Sequence, residues 1–365
     1  MTDTLRRTPL YDLHVELGGK MVDFAGWDMP VQYPLGIMGE HTYARQKGAI
    51  FDVSHMGQVI LRGDNVGEKL ESLCPQVFST LNEGKARYAF FTNEDGGIMD
   101  DLIVSNAGDH YFLVVNAALR QQDIPHLKAH LDGVEVIEIL DRALVAVQGP
   151  YAEDVVGAMC PAARDLTFME TTVAMINGVA CRISRLGYTG EDGYEISIPE
   201  DNAIEVTRAF LAHEDCEAAG LGARDSLRLE AGLCLYGNDI DQSTSPIEAS
   251  LLWAIQKRRR EEGGFPGADR IQREIVDGAA KKLVGIKPDG RAPARGGVEV
   301  QSLGGTTIGA ITSGGFGPTV GGPVAMGYVT TGHDALGEKV NLIIRGKSQP
   351  AEIVSLPFVR QNYKR

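Results

Sequence analysis

Glycine recurs at every third position of Gly187-Tyr188-Thr189-Gly190-Glu191-Asp192-Gly193-Tyr194-Glu195, with carboxylates and tyrosines between. The flanks, Val179 to Leu186 and Tyr194 to Ile198, are rich in β-branched and apolar residues. The spacing predicts a β-hairpin whose loop is Thr189 to Gly193. Glu195 then sits one residue inside the second strand. A carboxylate on so rigid an element presents two parallel acceptor oxygens, which match a planar pair of donors such as a guanidinium. The plainer alternative is an exposed acidic hairpin that only meets water.

Length and charge bound the rest. A chain of 365 residues has room for two or three domains and a sizeable core. With 49 acidic against 35 basic residues the net charge is −14, which disfavours a nucleic-acid backbone as partner. The five cysteines are widely spaced without any CxxC, so neither a disulfide framework nor a zinc ribbon is expected. The start lacks an apolar core and no apolar run is long enough to cross a bilayer, so no membrane association is expected. A reducing, cytoplasmic location follows from that reading.

Along the chain, Thr8-Pro9 with Leu10, Leu13 and Leu17 and the closing Gly18-Gly19 predicts a helix capped by Thr8. A second helix is expected from Pro34 to Lys47. From Gln58 to about Leu140, short strands (Val59 to Leu61, Arg87 to Thr92, Ile98 to Val104, His110 to Asn116) alternate with helical pieces, as in a compact α+β unit. A second α+β stretch opens with the strand Ala143 to Gln148 and includes the hairpin. From Leu283 onward glycine, valine and turn residues predict an all-β domain of small-barrel or jelly-roll type.

Several residues invite chemistry. Asp100 and Asp101 stand side by side at the mouth of an apolar strand, where successive side chains point to opposite faces, so one of them at most looks into a given pocket. Asn116 ends the next strand and is expected beside it. Arg224 and Arg228 lie four apart on one helical face, and Arg224 could pair bidentately with Glu195. Ser54-His55 adjacency does not make a nucleophile and base. His126 and His130 lack a third ligand and read as solvated helix residues. No nucleotide-binding fingerprint survives at Gly346-Lys347-Ser348 or among Gly315, Gly317 and Gly321.

Thr8 to Tyr11, Gly26 to Tyr33, Asp52 to Gly57, Gly96 to Val104, Gly187 to Glu195, Gly222 to Glu230, Leu235 to Asp239, Ala325 to Val329 and Pro357 to Val359 follow one another in an order that resembles the glycine cleavage T-protein family, the aminomethyltransferases. The resemblance runs from end to end. It implies an α+β, three-domain cloverleaf around a central folate funnel. Residues 1–57 with 141–275 would form a discontinuous first α+β domain, 58–140 an inserted α+β domain, and 283–365 a C-terminal β-barrel or jelly-roll-like domain. The implied activity moves the methylene of an aminomethyl group, carried on the lipoyl arm of H-protein, to tetrahydrofolate, with release of ammonia and no metal.

Carried over position by position, Asp101 is implied as the catalytic acid near the reacting nitrogens, and Glu195 and Arg224 as folate-site residues. Tyr88, Asn116, Tyr188 and Tyr363 match further pocket positions. The residue types suit the task. Glu195 can meet the pterin edge bidentately, the two tyrosines offer flat surface, and Asp101 can act as base or orient the folate electrostatically. Lys257-Arg258-Arg259-Arg260, the densest basic run in an acidic chain, is expected to steer H-protein. The rivals are a folate-dependent demethylase with the same pocket and a non-catalytic folate-binding assembly factor, against which the Asp101, Glu195 and Arg224 set counts.

Overall fold

The computed structural model describes residues 4–365. A five-stranded antiparallel sheet runs in the order Ala86–Thr92, Ile98–Asn106, Tyr111–Val115, Gly57–Gly63, Val134–Ile139. A six-stranded sheet runs Glu170–Ile176, Val179–Arg185, Gly193–Pro199, Arg142–Gln148, Gly48–Asp52, Cys216–Ala218, with only the last pair parallel. The C-terminal strands Lys281–Pro288, Glu299–Ser302, Thr307–Gly317, Gly322–Thr330, Lys339–Ile344 and Lys347–Val354 close into a barrel, which leaves no unpaired edge. Of the two all-β forms expected, the barrel is the one adopted.

Each sheet alternates as a half-buried strand must. In the five-stranded sheet, Leu102, Val104, Leu113 and Val115 point into an apolar core with Val59, Leu61 and Phe91, and the helix Arg120–His130 covers that face with Ile124 and Leu127. The opposite face carries Asp101, Ile103 and Ser105 toward the six-stranded sheet. The barrel meets the rest through the helix Leu221–Glu230, whose Leu229 packs on Val324, Met326 and Tyr328. Arg228 on that helix donates to Ser313 Oγ at 3.0 Å and to Asp239 Oδ2 at 2.7 Å. Ion pairs of this kind, taken out of water, hold register more than they stabilise.

The hairpin forms between Val179–Arg185 and Gly193–Pro199. Its periodic glycines have separate causes. Gly190 has φ +81°, in the left-handed region, whereas a Cβ on Gly187 would lie 1.8 Å from Gln148 Oε1. The loop carboxylates are not left to water. Glu191 is 4% exposed and accepts from Arg45 Nη1 at 3.0 Å, and Asp192 pairs with the buried Arg185.

Local expectations also fail. Thr8 caps nothing: the helix Tyr11–Glu16 has no side-chain cap, and Thr8 Oγ1 donates 2.7 Å to Asp52 Oδ2. Asp52 is buried and gathers two more donors, His14 Nε2 at 2.8 Å and the Ser54 amide at 2.8 Å, so the hydroxyl goes where the desolvated charge needs it. The basic run forms the helix Lys257–Glu262, and its three arginines are bonded to the protein's own groups, with Arg259 buried and Arg258 exposed. Arg258 pairs with Glu71, Arg259 donates to the carbonyls of Glu71 and Gly264, and Arg260 to those of Ile255 and Leu252. Only Lys257 and Arg258 of the run are exposed, and Arg258 shares its charge with Glu71, so less of the run than its sequence suggests faces a partner. His126 is not solvated: its ring packs edge-on against Phe91 with centroids 5.4 Å apart. Ser54 Oγ bonds the Leu144 backbone, not His55.

Candidate active site

Strand register builds the acidic end of the site. Leu102 pairs with Val115, which brings the next residues along, Asp101 and Asn116, to facing positions, while Asp101 pairs with Phe90 on the other side. Asn116 Nδ2 donates to Asp101 Oδ1 at 2.9 Å, and the Tyr88 hydroxyl, on the same face, donates to Asp101 Oδ2 at 3.0 Å. Burial pushes the Asp101 carboxyl up, the neighbouring Asp100 adds to it, and the two hydrogen bonds only partly offset them, so it titrates at about 7. A carboxyl poised there exchanges protons at neutral pH.

Alternation sends Asp100 to the other face, where it is fully buried. Asn116 Nδ2 also reaches Asp100 Oδ1 at 2.7 Å, so one amide ties together both carboxylates of the dyad.

The opposite wall comes from the six-stranded sheet. Glu195 lies between Ser184 and Ala146 in the ladder and, with Leu186 and Ser184, lines a narrow cleft opposite Ile103, Ser105 and Val114. Burial raises its carboxyl, and the Arg224 charge lowers it in part. The expected bidentate Arg224–Glu195 pair does not form. Arg224 instead lays its guanidinium 4.8 Å over the Tyr188 ring, and its Nη1 is buried without a partner. A desolvated donor and a nearby carboxylate that do not satisfy one another are both available to a ligand. Tyr188 is anchored in turn by donating to the Cys234 carbonyl.

Tyr88 and Asn116 are bonded to Asp101, Tyr188 has Asp101 and Arg224 among its charged neighbours, and Arg224 lies near Glu195, so the six form one connected neighbourhood. Tyr363 is not bonded to any of them. It stacks on Phe168, with ring centroids 4.1 Å apart, and its charged neighbours are Arg45, Glu191 and Arg365. Sequence reasoning missed Trp253, which is 63% exposed and stacks on Tyr88 at 5.4 Å, and Asp123, a buried acid on the helix behind Asp100. An isolated tryptophan before a basic run and an aspartate in a polar helix carry no local signal.

Comparison with known proteins bears on this arrangement. The GCVT N-terminal domain model matches residues 10–259, and the glycine cleavage T-protein C-terminal barrel domain model matches residues 281–360. The chain belongs to the glycine cleavage T-protein family. Its activity is that of an aminomethyltransferase of the glycine cleavage system. The probable mitochondrial aminomethyltransferase of Schizosaccharomyces pombe is 44% identical over 99% of this chain and 95% of its own. The mitochondrial aminomethyltransferase of Pisum sativum is 45% identical over 98% of this chain and 90% of its own. The crystal structure of glycine cleavage system aminomethyltransferase T from Bartonella henselae superposes with a TM-score of 0.93 at 41% identity, over 99% of this chain and 100% of that one. The expectation of a cytoplasmic location is corrected by these relatives, whose names place them in mitochondria.

Proposed function

We propose that this T-protein family member takes the aminomethyl group from the lipoyl arm of H-protein and delivers its carbon to tetrahydrofolate held between Asp101 and Glu195. Tetrahydrofolate, when bound, supplies two N–H nitrogens that become bridged by the carbon. The balance then requires two C–N bonds to form, while the C–S bond to the arm and the C–N bond to the amine break. Two protons leave the folate nitrogens. One completes ammonia and the other the dihydrolipoyl thiol.

The chain's own residues fit that balance. Asp101, poised at about 7, accepts a proton from a ring nitrogen and holds negative charge beside the developing positive carbon; both roles need the ionised carboxylate. Tyr88 and Asn116 fix its orientation. Glu195 receives the donor edge of the pterin, and the unpartnered Arg224 Nη1 takes an anionic or carbonyl group of the same ligand. Tyr188 and Tyr88 supply flat apolar surface. Tyr363 is kept as an outer folate contact on the resemblance alone. No metal is assigned a part. The domain limits are proposed as 1–57 with 141–275, then 58–140 and 283–365.

The observation that carries the reading is the buried, unpartnered Arg224 Nη1 near Glu195, linked through Tyr188 to a carboxyl pushed up to about 7. It is tested by measuring ammonia and methylenetetrahydrofolate from aminomethyl-lipoyl H-protein. Turnover only with dimethylglycine or sarcosine would transfer the assignment to a folate-dependent demethylase.

A further inference from the structure

Asp100 and Asp123 are both fully buried, the first on the core face of the strand Ile98–Asn106 and the second on the helix Arg120–His130 that covers it. Their carboxyl groups meet within hydrogen-bonding reach. Asp100 already accepts from the Asn116 amide through Oδ2 at 3.3 Å and from Asn116 Nδ2 through Oδ1 at 2.7 Å. Asp123 Oδ1 has Gln122 Nε2 at 3.3 Å, and Asp123 Oδ2 is buried with no donor. Two carboxylates cannot both stay ionised in contact away from water, and a proton lying between them gives the orphaned oxygen its partner.

We propose that Asp100 and Asp123 share one proton and act as a positioning pair that, through Asn116, orients the catalytic Asp101 and sets the negative charge it faces. The proposal rests on the role assigned to Asp101 above. Asn116 is the mechanical link, since the same Nδ2 reaches both Asp100 Oδ1 and Asp101 Oδ1. The electrostatic link is the charge on Asp100, which raises Asp101, while burial raises all three carboxyls. The other titratable groups facing this set are Tyr88, Tyr188, Cys234, Tyr236 and, near Tyr236, Asp241. None of them carries a positive charge that would hold both members of the pair ionised. Values measured for such a pair belong to the pair and not to either residue.

The pair makes opposite predictions for its two members. Asp100→Asn keeps an acceptor for Asn116 Nδ2, gives up the longer bond from the Asn116 backbone amide, can donate to Asp123 and removes the charge nearest Asp101, so the acidic limb of the turnover profile moves to lower pH by about one unit. Asp123→Asn donates an amide hydrogen to Asp100, which then ionises without sharing, and the limb moves to higher pH by about as much. Infrared spectra provide a readout independent of turnover when recorded on an Asp101→Asn background, which removes the band that Asp101, itself titrating at about 7, would add: on that background the pair keeps a protonated-carboxyl carbonyl band at neutral pH, and the further change Asp123→Asn loses it. Opposed shifts together with the lost band support the pair. Shifts in the same direction, unmoved limbs with lower turnover at every pH, or a band that persists in Asp123→Asn overturn it. If Asp100→Asn does not fold, the infrared comparison with and without Asp123→Asn on the Asp101→Asn background decides alone. A wild type inactive with aminomethyl-lipoyl H-protein would strike the proposed function and leave the infrared result standing.

Discussion

Asp101→Asn separates catalysis from stability, because one substitution removes a charge the site needs and the fold opposes. The side chains are nearly isosteric. The amide oxygen can still accept from Asn116 Nδ2, now at 2.9 Å, and the Tyr88 hydroxyl can turn its proton elsewhere, so the cleft keeps its shape. Removal of one acid–base group costs about 10²- to 10⁴-fold in turnover. Tetrahydrofolate affinity should change by less than about tenfold, because the assigned contacts of Glu195 and Arg224 remain. The stability effect has the opposite sign. Burial lifts the Asp101 carboxyl from an ordinary value of 3.8 to about 7, so the folded protein binds that proton more tightly than the unfolded chain does. Its contribution is therefore neutral below about pH 4 and increasingly unfavourable as pH rises to 7, reaching about 2 to 4 kcal/mol once some wetting by the cleft is allowed for. The asparagine variant should be more stable than wild type at pH 8, with the gain shrinking toward pH 4. Urea denaturation at the two pH values, single-turnover formation of methylenetetrahydrofolate and calorimetric folate titration measure the three quantities. Turnover close to wild type, or equal stability at both pH values, would refute the reasoning.

Glu195→Ala should weaken tetrahydrofolate binding about 10- to 100-fold, since it deletes the charged acceptor of a hydrogen-bonded edge; unchanged calorimetric affinity removes Glu195 from the site. Arg259→Gln should lower stability by about 1.5 to 3 kcal/mol, because its guanidinium bonds two buried-side carbonyls, yet leave the salt dependence of H-protein association as in wild type; stopped-flow association and urea denaturation check both halves. Gly187→Ala should cost about 1 to 3 kcal/mol, because the added methyl overlaps the Gln148 amide, and a denaturation midpoint equal to wild type would contradict the packing described.

How much of this was legible in the chain depends on the range over which each signal acts. Alternation and turn glycines are local, and they located most strands of both sheets to within a few residues, as with Arg87 to Thr92 expected and Ala86–Thr92 found, but not Val134–Ile139, Glu170–Ile176 or Cys216–Ala218. Strand alternation also predicted correctly that Asp100 and Asp101 would part company. Non-local demand was invisible. Thr8 looks like a cap from its neighbours, but its hydroxyl is claimed by Asp52, more than forty positions on, whose burial no local pattern announces. The four consecutive basic residues look like a solvated or docking face, but the Glu71 carboxylate and the carbonyls of Glu71, Leu252 and Ile255 engage the three arginines.

The site was legible unevenly for the same reason. Asp101 and Asn116 were found because antiparallel register is a short-range consequence of two adjacent strands. The relation of Arg224 to Glu195 was misjudged because complementary charge says nothing about whether geometry permits a bond. Arg224 rests on Tyr188, and that stacking competes with the carboxylate while leaving Nη1 desolvated. A bonded pair would have been satisfied already and would lose its own hydrogen bonds to admit a ligand. Arg224 Nη1, kept dry and unpartnered, bears its desolvation cost before binding, so a ligand that accepts from it gains the whole of the new hydrogen bond. The unmet hydrogen bond of Arg224 therefore says more about the site's function than the ion pair expected from the residue types.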